Sequence, residues 1–166
     1  MSSEPKEIEL LIAFARAASK AQEVEALLKD TLLIIEVVDG PPGRSYKDTA
    51  EKIEGLTLGQ LKQRYLDSKV GKHIDDPRFA QMWKEANQER IFLMHKFFQV
   101  FPLEALNGNV EATERLVRID KLLNICRGML NDALEMTLGQ TKIPREKLQE
   151  FLAFAAEYRK KAESSE

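Results

Sequence analysis

Arg90 and His95 are the two residues whose types and spacing allow a small catalytic site in this chain. They lie five positions apart in the largely apolar string QERIFLMHKFF, residues 88–98, and His95 is one of only two histidines. A histidine with an ordinary pKa near 6.5 transfers protons at neutral pH. A guanidinium is well shaped to bind phosphoryl oxygens and to stabilise their charge. The pair therefore indicates phosphoryl chemistry as one interpretation.

The same two residues also have a structural interpretation. On a helix they lie about 140° apart, because each residue turns by about 100°, so they converge on one phosphate only by reaching round the helix or with help from a second subunit. Arg90 is alternatively a structural cation that pairs with Glu85, Glu89 or a glutamate of another helix while its aliphatic stem packs in the core. His95 is alternatively a donor to a backbone carbonyl, or a ring stacked on Phe98.

Composition bounds the remaining possibilities. The chain has 166 residues with 43% hydrophobic content, enough for one domain with a single core. A formal charge of −2 and a pI near 5.9 weaken any proposal of broad electrostatic binding to nucleic acid. Two histidines and one cysteine exclude a zinc cluster, and neither histidine follows a glutamate by three residues, as a di-iron bundle would need. We therefore predict no metal and no cofactor.

Cys126 is the only cysteine, which excludes an intramolecular disulfide. Its context, ICRGML, is apolar and helical, so we expect a small buried side chain. The first residues lack the pattern of a secretory signal, and no apolar run approaches the ~20 residues that cross a bilayer. These features predict a soluble, cytoplasmic protein that does not bind membranes.

Helical periodicity runs through almost the whole chain, and sustained strand alternation is absent. The pattern predicts an all-α fold: an antiparallel bundle of four principal helices plus one short helix, because short connections favour antiparallel neighbours. The principal helices are expected at about 5–38, 76–101, 109–138 and from about 144, and the short helix at 57–68. We expect a single domain over residues 1–166, with flexible termini at about 1–4 and 160–166.

Capping residues set the expected helix ends. Thr57 with Gln60 three positions later forms a capping box. Asn109 is expected to cap the long helix at 109–138. Asp76 is expected to cap the helix that begins at Pro77, and Gly139 is expected to stop the helix that begins at Asn109. Ser3 is a plausible cap of the first helix, and the loop DGPPGRS is expected to follow it.

Four phenylalanines lie between residues 92 and 101. Phe97 and Phe101 repeat at helical spacing with Leu93, which predicts a core face. Phe92 and Phe98 point elsewhere, so either this helix is central to the bundle or its second face contacts a partner. We favour the second interpretation, with a second copy of the chain as the partner. This interpretation predicts a homodimer.

The R-x4-H spacing, late in a helix of a small all-α protein, resembles the HEPN superfamily, whose nucleases carry an R-x4–6-H motif. The string QERIFLMHKFF is also similar to E-R-N-x-L-x-H-x-F-F strings of bacterial helical proteins associated with that superfamily. The resemblance implies metal-independent cleavage of RNA at a site formed across a homodimer. It implies His95 as general base on the ribose 2′-hydroxyl, Arg90 as stabiliser of the phosphoryl charge, and Lys96 as a group that binds a flanking phosphate.

One position departs from that pattern. The residue after the arginine is commonly polar in active members, often Asn, whereas here it is Ile91. Many relatives in the superfamily serve as binding modules without activity. We therefore predict a non-catalytic helical module for protein interaction and dimerisation, with a metal-independent ribonuclease using Arg90 and His95 as the alternative. RNA and a protein other than a second copy remain further candidate partners.

Overall fold

The computed structural model describes residues 4–40, 45–73 and 77–164. It is 88% helical, and the described residues contain no strand, which confirms the all-α prediction. The α-helices in the described ranges are α1 (Glu4–Asp39), α2 (Tyr46–Glu54), α3 (Leu58–Asp67), α4 (Lys69–His73), α5 (Pro77–His95), α6 (Phe97–Val100), α7 (Val110–Gln140) and α8 (Arg145–Glu163). A short 3-10 helix at Leu103–Ala105 precedes α7.

The expected count of four principal helices plus one short helix is not confirmed, because the described ranges contain eight. Helices α1, α5, α7 and α8 are the long ones, and α3 corresponds to the short helix expected at 57–68. Helix α2 was not predicted, although its start carries a recognisable signal. The Ser45 side chain accepts a hydrogen bond from the backbone N–H of Asp48, so the sequence S-Y-K-D caps this helix.

Two helix ends differ from the prediction. Helix α5 ends at His95 instead of continuing to Phe101, since the backbone at Lys96 departs from helical geometry and a separate turn, α6, follows. Helix α7 passes through Gly139 to Gln140. A glycine stops a helix by adopting a left-handed conformation, and among the described residues only Gly108 has a positive φ, of 71°.

Two of the predicted caps are confirmed. Thr57 and Gln60 form both hydrogen bonds of the capping box. The Asn109 side chain accepts a hydrogen bond of 3.0 Å from the Ala112 backbone N–H. The expected caps at Ser3 and Asp76 and most of the loop DGPPGRS lie outside the described residues.

The chain divides into two compact units. Unit 1 comprises residues 1–24 and 76–128, and its described α-helices are the first part of α1, the helices α5 and α6, and the first part of α7. Its buried apolar residues come from all four of these helices and include Leu10, Trp83, Leu93, Phe97 and Leu116. The expectation of a single domain over residues 1–166 stays a prediction.

Unit 2 comprises residues 25–75 and 129–166. One part of its core is built on Ile34, Leu148 and Phe151, which come from α1 and α8. None of the helices in the described parts of the chain has the length and apolar character needed to cross a membrane.

A network of ion pairs also belongs to unit 2. Arg159 of α8 donates to Asp30 of α1 at 2.9 Å and to Glu54 of α2 at 3.0 Å. Lys29 donates to the same glutamate at 3.0 Å. Three helices of this unit therefore meet at Glu54, whose side chain is 9% exposed.

Candidate functional site

Arg90 and His95 both lie on α5, and they point to different sides of it. Arg90 is half-buried and shares its side of the helix with Ala86, Leu93 and other buried residues. His95 is exposed, at the last position of the helix. The divergence follows from the helical spacing of about 140°, so one copy of α5 does not direct both side chains at one point.

His95 lies on an exposed apolar face of α5 and α6. Ile91, Met94 and Phe98 are exposed and follow the spacing of one helix side around His95. Lys96, the expected phosphate-binding residue, is exposed at the break between the two helices. We call Ile91, Met94 and Phe98 the α5 face.

A buried carboxylate, Glu89, lies on the side of α5 opposite to the α5 face. Its side chain is 5% exposed and accepts hydrogen bonds from Arg115 at 2.8 Å and from Arg118 at 3.0 Å, both on α7. Burial of a carboxylate costs free energy unless the charge is paired and hydrogen-bonded, and two arginines meet that requirement here. Because Glu89 binds α7 in this way, it joins two helices of unit 1.

Phe92 belongs to the same contact between α5 and α7. The guanidinium carbon of Arg115 lies 4.4 Å from the centroid of the Phe92 ring, a cation–π geometry. The ring also meets Phe97 and Phe101 edge to face, with centroids 6.1 and 6.4 Å apart. Phe92 was expected to contact a partner, but its half-buried ring already packs within unit 1.

Phe97 and Phe101 are buried together with Leu93, which confirms the predicted core face. Phe98, the second expected partner residue, is 40% exposed. Its ring centroid lies 4.6 Å from that of Phe14 on α1. Through this contact the α5 face lies beside α1.

The roles of Arg115, Arg118 and Phe14 were not predicted from the sequence. A signal for the arginines was present, because Glu89 lies between Ala86 and Leu93 at core spacing and a charge at a core position requires partners. Nothing in the local sequence identified which cations those would be. The contact of Phe14 depends on helix packing between segments some 80 residues apart, and no local pattern reports it.

Cys126 is fully buried, as expected from its apolar context. Burial raises the pKa of its thiol to about 12. The thiolate is the reactive form of cysteine, so this residue is unsuited to nucleophilic chemistry.

We expect native protein at pH 8 to react with a disulfide reagent such as DTNB at least 100-fold more slowly than the unfolded chain, whose thiol is accessible. The reaction is followed by absorbance with and without denaturant. Rapid modification of the folded protein, at a rate near that of the unfolded chain, would contradict the described burial of Cys126.

The fold and these contacts define the chain as an all-α protein with an exposed histidine on an apolar helix face. Among the described residues, no group of three or more His, Cys, Asp or Glu side chains is arranged to hold a metal ion. A scan of protein-family models finds no match to the chain, and searches of curated proteins and of solved structures find no significant match.

Proposed function

We propose that this chain is a helical protein-interaction module, of HEPN-like type, that forms a homodimer through unit 1. One observation carries the proposal. Of the eleven large hydrophobic side chains that are exposed among the described residues, ten belong to unit 1 and only Tyr46 belongs to unit 2. Concentrated exposure of this kind is typical of interaction surfaces.

The α5 face and α1 are the parts of unit 1 best suited to the contact. On the α5 face, Ile91, Met94 and Phe98 are each exposed by about 40%. Ile8 and Ile12 of α1 are exposed by 55% and 45%. Phe98 contacts Phe14 of α1, so the α5 face adjoins this helix within unit 1. Covering them removes apolar area from water, which favours association.

We expect the protein to have a mass of twice 19.0 kDa at micromolar concentration, with a shift toward the monomer on dilution. Light scattering coupled to size-exclusion chromatography, or sedimentation equilibrium, measures this directly. Met94→Glu should shift the equilibrium toward the monomer, because a charge at a covered apolar position is costly to desolvate.

Val117→Glu on α7 is the matched control for that substitution, because Val117 is similarly exposed but lies off the α5 face. Melting temperatures that match the wild type at a concentration at which all three proteins are monomeric exclude an effect on folding. A wild-type mass of 19 kDa across this range of concentrations would refute the homodimer.

A metal-independent ribonuclease is the second candidate function, and the exposure of His95 on the α5 face is the observation that favours it. A dimer through this surface places His95 near the seam, where Arg90 of a second copy supplies a guanidinium that the same helix does not direct at it. In this candidate His95 is the general base, Arg90 stabilises phosphoryl charge and Lys96 binds a flanking phosphate.

The ribonuclease candidate predicts degradation of RNA in the presence of EDTA, followed on a labelled oligonucleotide. His95→Ala should lower the rate at least 100-fold, in line with the loss of a general base, while the melting temperature stays unchanged. Gln99→Ala, at a neighbouring exposed position, is the control. Activity that survives in His95→Ala would exclude this role. The cytoplasmic location and any RNA partner stay predictions.

A further inference from the structure

Helix α1 carries an exposed stripe of uncharged side chains in unit 1. The stripe runs through Ile8, Ile12, Ala15 and Ser19, at spacings of four, three and four residues, and the polar Gln22 ends it. All of these residues are exposed, and the opposite side of the helix is buried in the core. Alternating spacings of four and three residues are those of a seam between two packed helices. The stripe therefore has the pattern of a helix–helix contact whose second helix is absent among the described residues of unit 1.

We propose that this stripe binds the same stripe of a second copy, with the two α1 helices antiparallel and the two-fold axis beside Ile12. The inference rests on the proposed homodimer and names the contact at its centre. Two features of α1, the order of its side-chain sizes and the order of its charges, favour this arrangement independently.

The sizes change along the stripe. The large residues, Ile8 and Ile12, come first, and the small residues Ala15 and Ser19 follow. An antiparallel pair with its axis beside Ile12 places Ile8 of one copy between Ala15 and Ser19 of the other. Large side chains then fill the space above small ones, as close packing requires. A parallel pair would place isoleucine on isoleucine at one end and leave gaps between the small residues at the other.

The charges beside the stripe point to the same register. Glu9 and Arg16 are both exposed and lie seven residues apart on one edge of it. With the axis beside Ile12, Glu9 of each copy faces Arg16 of the other, which forms two symmetry-related ion pairs. A parallel pair would instead place Glu9 at the same height as Glu9 of the second copy, and Arg16 at the same height as Arg16.

A second antiparallel register would pair Arg16 with Glu23. In that arrangement Ile12 lies opposite residue 27 of the second copy, and the two isoleucines lie outside the region of greatest overlap. Glu23 also already accepts a hydrogen bond from Arg127 of α7 at 3.4 Å. The register with its axis beside Ile12 is therefore the favoured one.

Charge reversal tests the pairing in the full-length protein. Arg16→Glu places two glutamates against each other at both ends of the contact, and we expect it to raise the dimer dissociation constant about tenfold at low salt. Glu9→Arg should have a similar effect. The double variant Glu9→Arg/Arg16→Glu restores both ion pairs in the opposite sense and should return the constant to within about threefold of wild type.

Single cysteines test the direction of the helices, and the burial of Cys126 keeps the background reaction low. With the axis beside Ile12, the two copies of residue 12 are only about 1.5 Å apart along the helix axis, whereas the copies of residues 8 and 19 are separated by about 13 and 20 Å. Ile12→Cys should therefore crosslink to itself on oxidation. Ile8→Cys should not, but it should crosslink to Ser19→Cys when the two variants are mixed.

The outcomes separate this inference from the proposed function. A dimer that responds to neither charge reversal, or in which Ile8→Cys crosslinks to itself as readily as Ile12→Cys, overturns the antiparallel α1 pairing and leaves the homodimer standing. A wild-type protein that remains monomeric overturns both. The pairing is supported if Arg16→Glu raises the dimer dissociation constant and the double variant returns the constant to near the wild-type value.

Discussion

Gly71→Ala is expected to lower the free energy of unfolding by about 3 kcal/mol, because the added methyl group has no room. A Cβ atom at this position would lie 2.0 Å from the carbonyl oxygen of Tyr65 and 2.9 Å from the Cα of Leu66. Both are backbone atoms, so no side-chain rotation relieves the overlap. Helix α4 would have to move away from the end of α3.

The tight approach at Gly71 has an identifiable origin. The chain turns sharply at Ser68, between α3 and α4, and the Ser68 hydroxyl donates to the Tyr65 carbonyl at 2.6 Å. The same hydroxyl accepts from the Gly71 backbone N–H at 3.0 Å. These two hydrogen bonds hold the glycine against the preceding turn, and the substitution would break them as well as create the overlap.

Urea unfolding followed by circular dichroism measures the effect of Gly71→Ala, which corresponds to a melting temperature lower by roughly 6–12 °C for a protein of this size. Gly59→Ala is the matched control. It lies in α3, a Cβ there would meet no atom within 4 Å, and alanine favours a helix, so we expect a gain of about 0.5–1 kcal/mol. Equal effects of the two substitutions would contradict the described contact.

Arg159→Met is expected to cost roughly 3 kcal/mol of unfolding free energy at pH 7, because it leaves two carboxylates close together in unit 2 without their shared cation. Arg159 donates to both Asp30 and Glu54, and its side chain is only 18% exposed. Methionine preserves most of the packing of the aliphatic stem, so the loss reports the charge. Denaturant unfolding monitored by circular dichroism is the measurement.

Arg145→Met is the matched control for this prediction. Arg145 lies 3.9 Å from Glu135, and both side chains are more than two-thirds exposed. Solvent screens such a pair, so its removal should change stability by less than about 0.5 kcal/mol. If Arg159→Met and Arg145→Met lower the free energy of unfolding equally, the ion-pair network at Glu54 contributes no more to stability than an exposed pair.

The effect of Arg159→Met should depend on pH through Asp30. Burial raises the pKa of Asp30 above its ordinary value of 3.8, and the hydrogen bond and charge of Arg159 partly oppose that rise. Without Arg159 the pKa rises further. A carboxyl whose pKa is higher in the folded than in the unfolded state stabilises the fold when protonated, and that stabilisation is lost as the pH rises through the folded pKa. The variant should therefore be closest to wild type in mildly acidic solution and furthest from it at neutral pH.

Local sequence patterns predicted much of the secondary structure because they act over a few residues. The capping box at Thr57 and the cap at Asn109 are contacts between residues three apart, so their sequence signal is nearly complete. The buried face of Leu93, Phe97 and Phe101 followed from helical spacing in the same way. The stop expected at Gly139 was wrong because it required a left-handed conformation, which glycine permits but does not impose, and the helix continues through this residue.

The candidate site was predictable only in part, for a related reason. Helical spacing correctly separated Arg90 from His95 around α5, but it did not show which of the two sides is exposed. The exposure of His95 follows from the packing of the other side of α5 in unit 1. Phe92 is a second example. Its position on the helix predicted a surface apart from the core face, but the spacing did not show that Arg115 of α7 lies over its ring.

By itself the sequence determined that this protein is helical and where most helices begin, because caps and helical periodicity are local interactions. Only the tertiary structure decided which side chains meet: Glu89 with Arg115 and Arg118, and Arg159 with Asp30 and Glu54. These pairs join residues more than 25 positions apart, and each partner is one of many charges along the chain. Their selection depends on how whole helices pack, because a charge is buried only where packing brings a counter-charge to it.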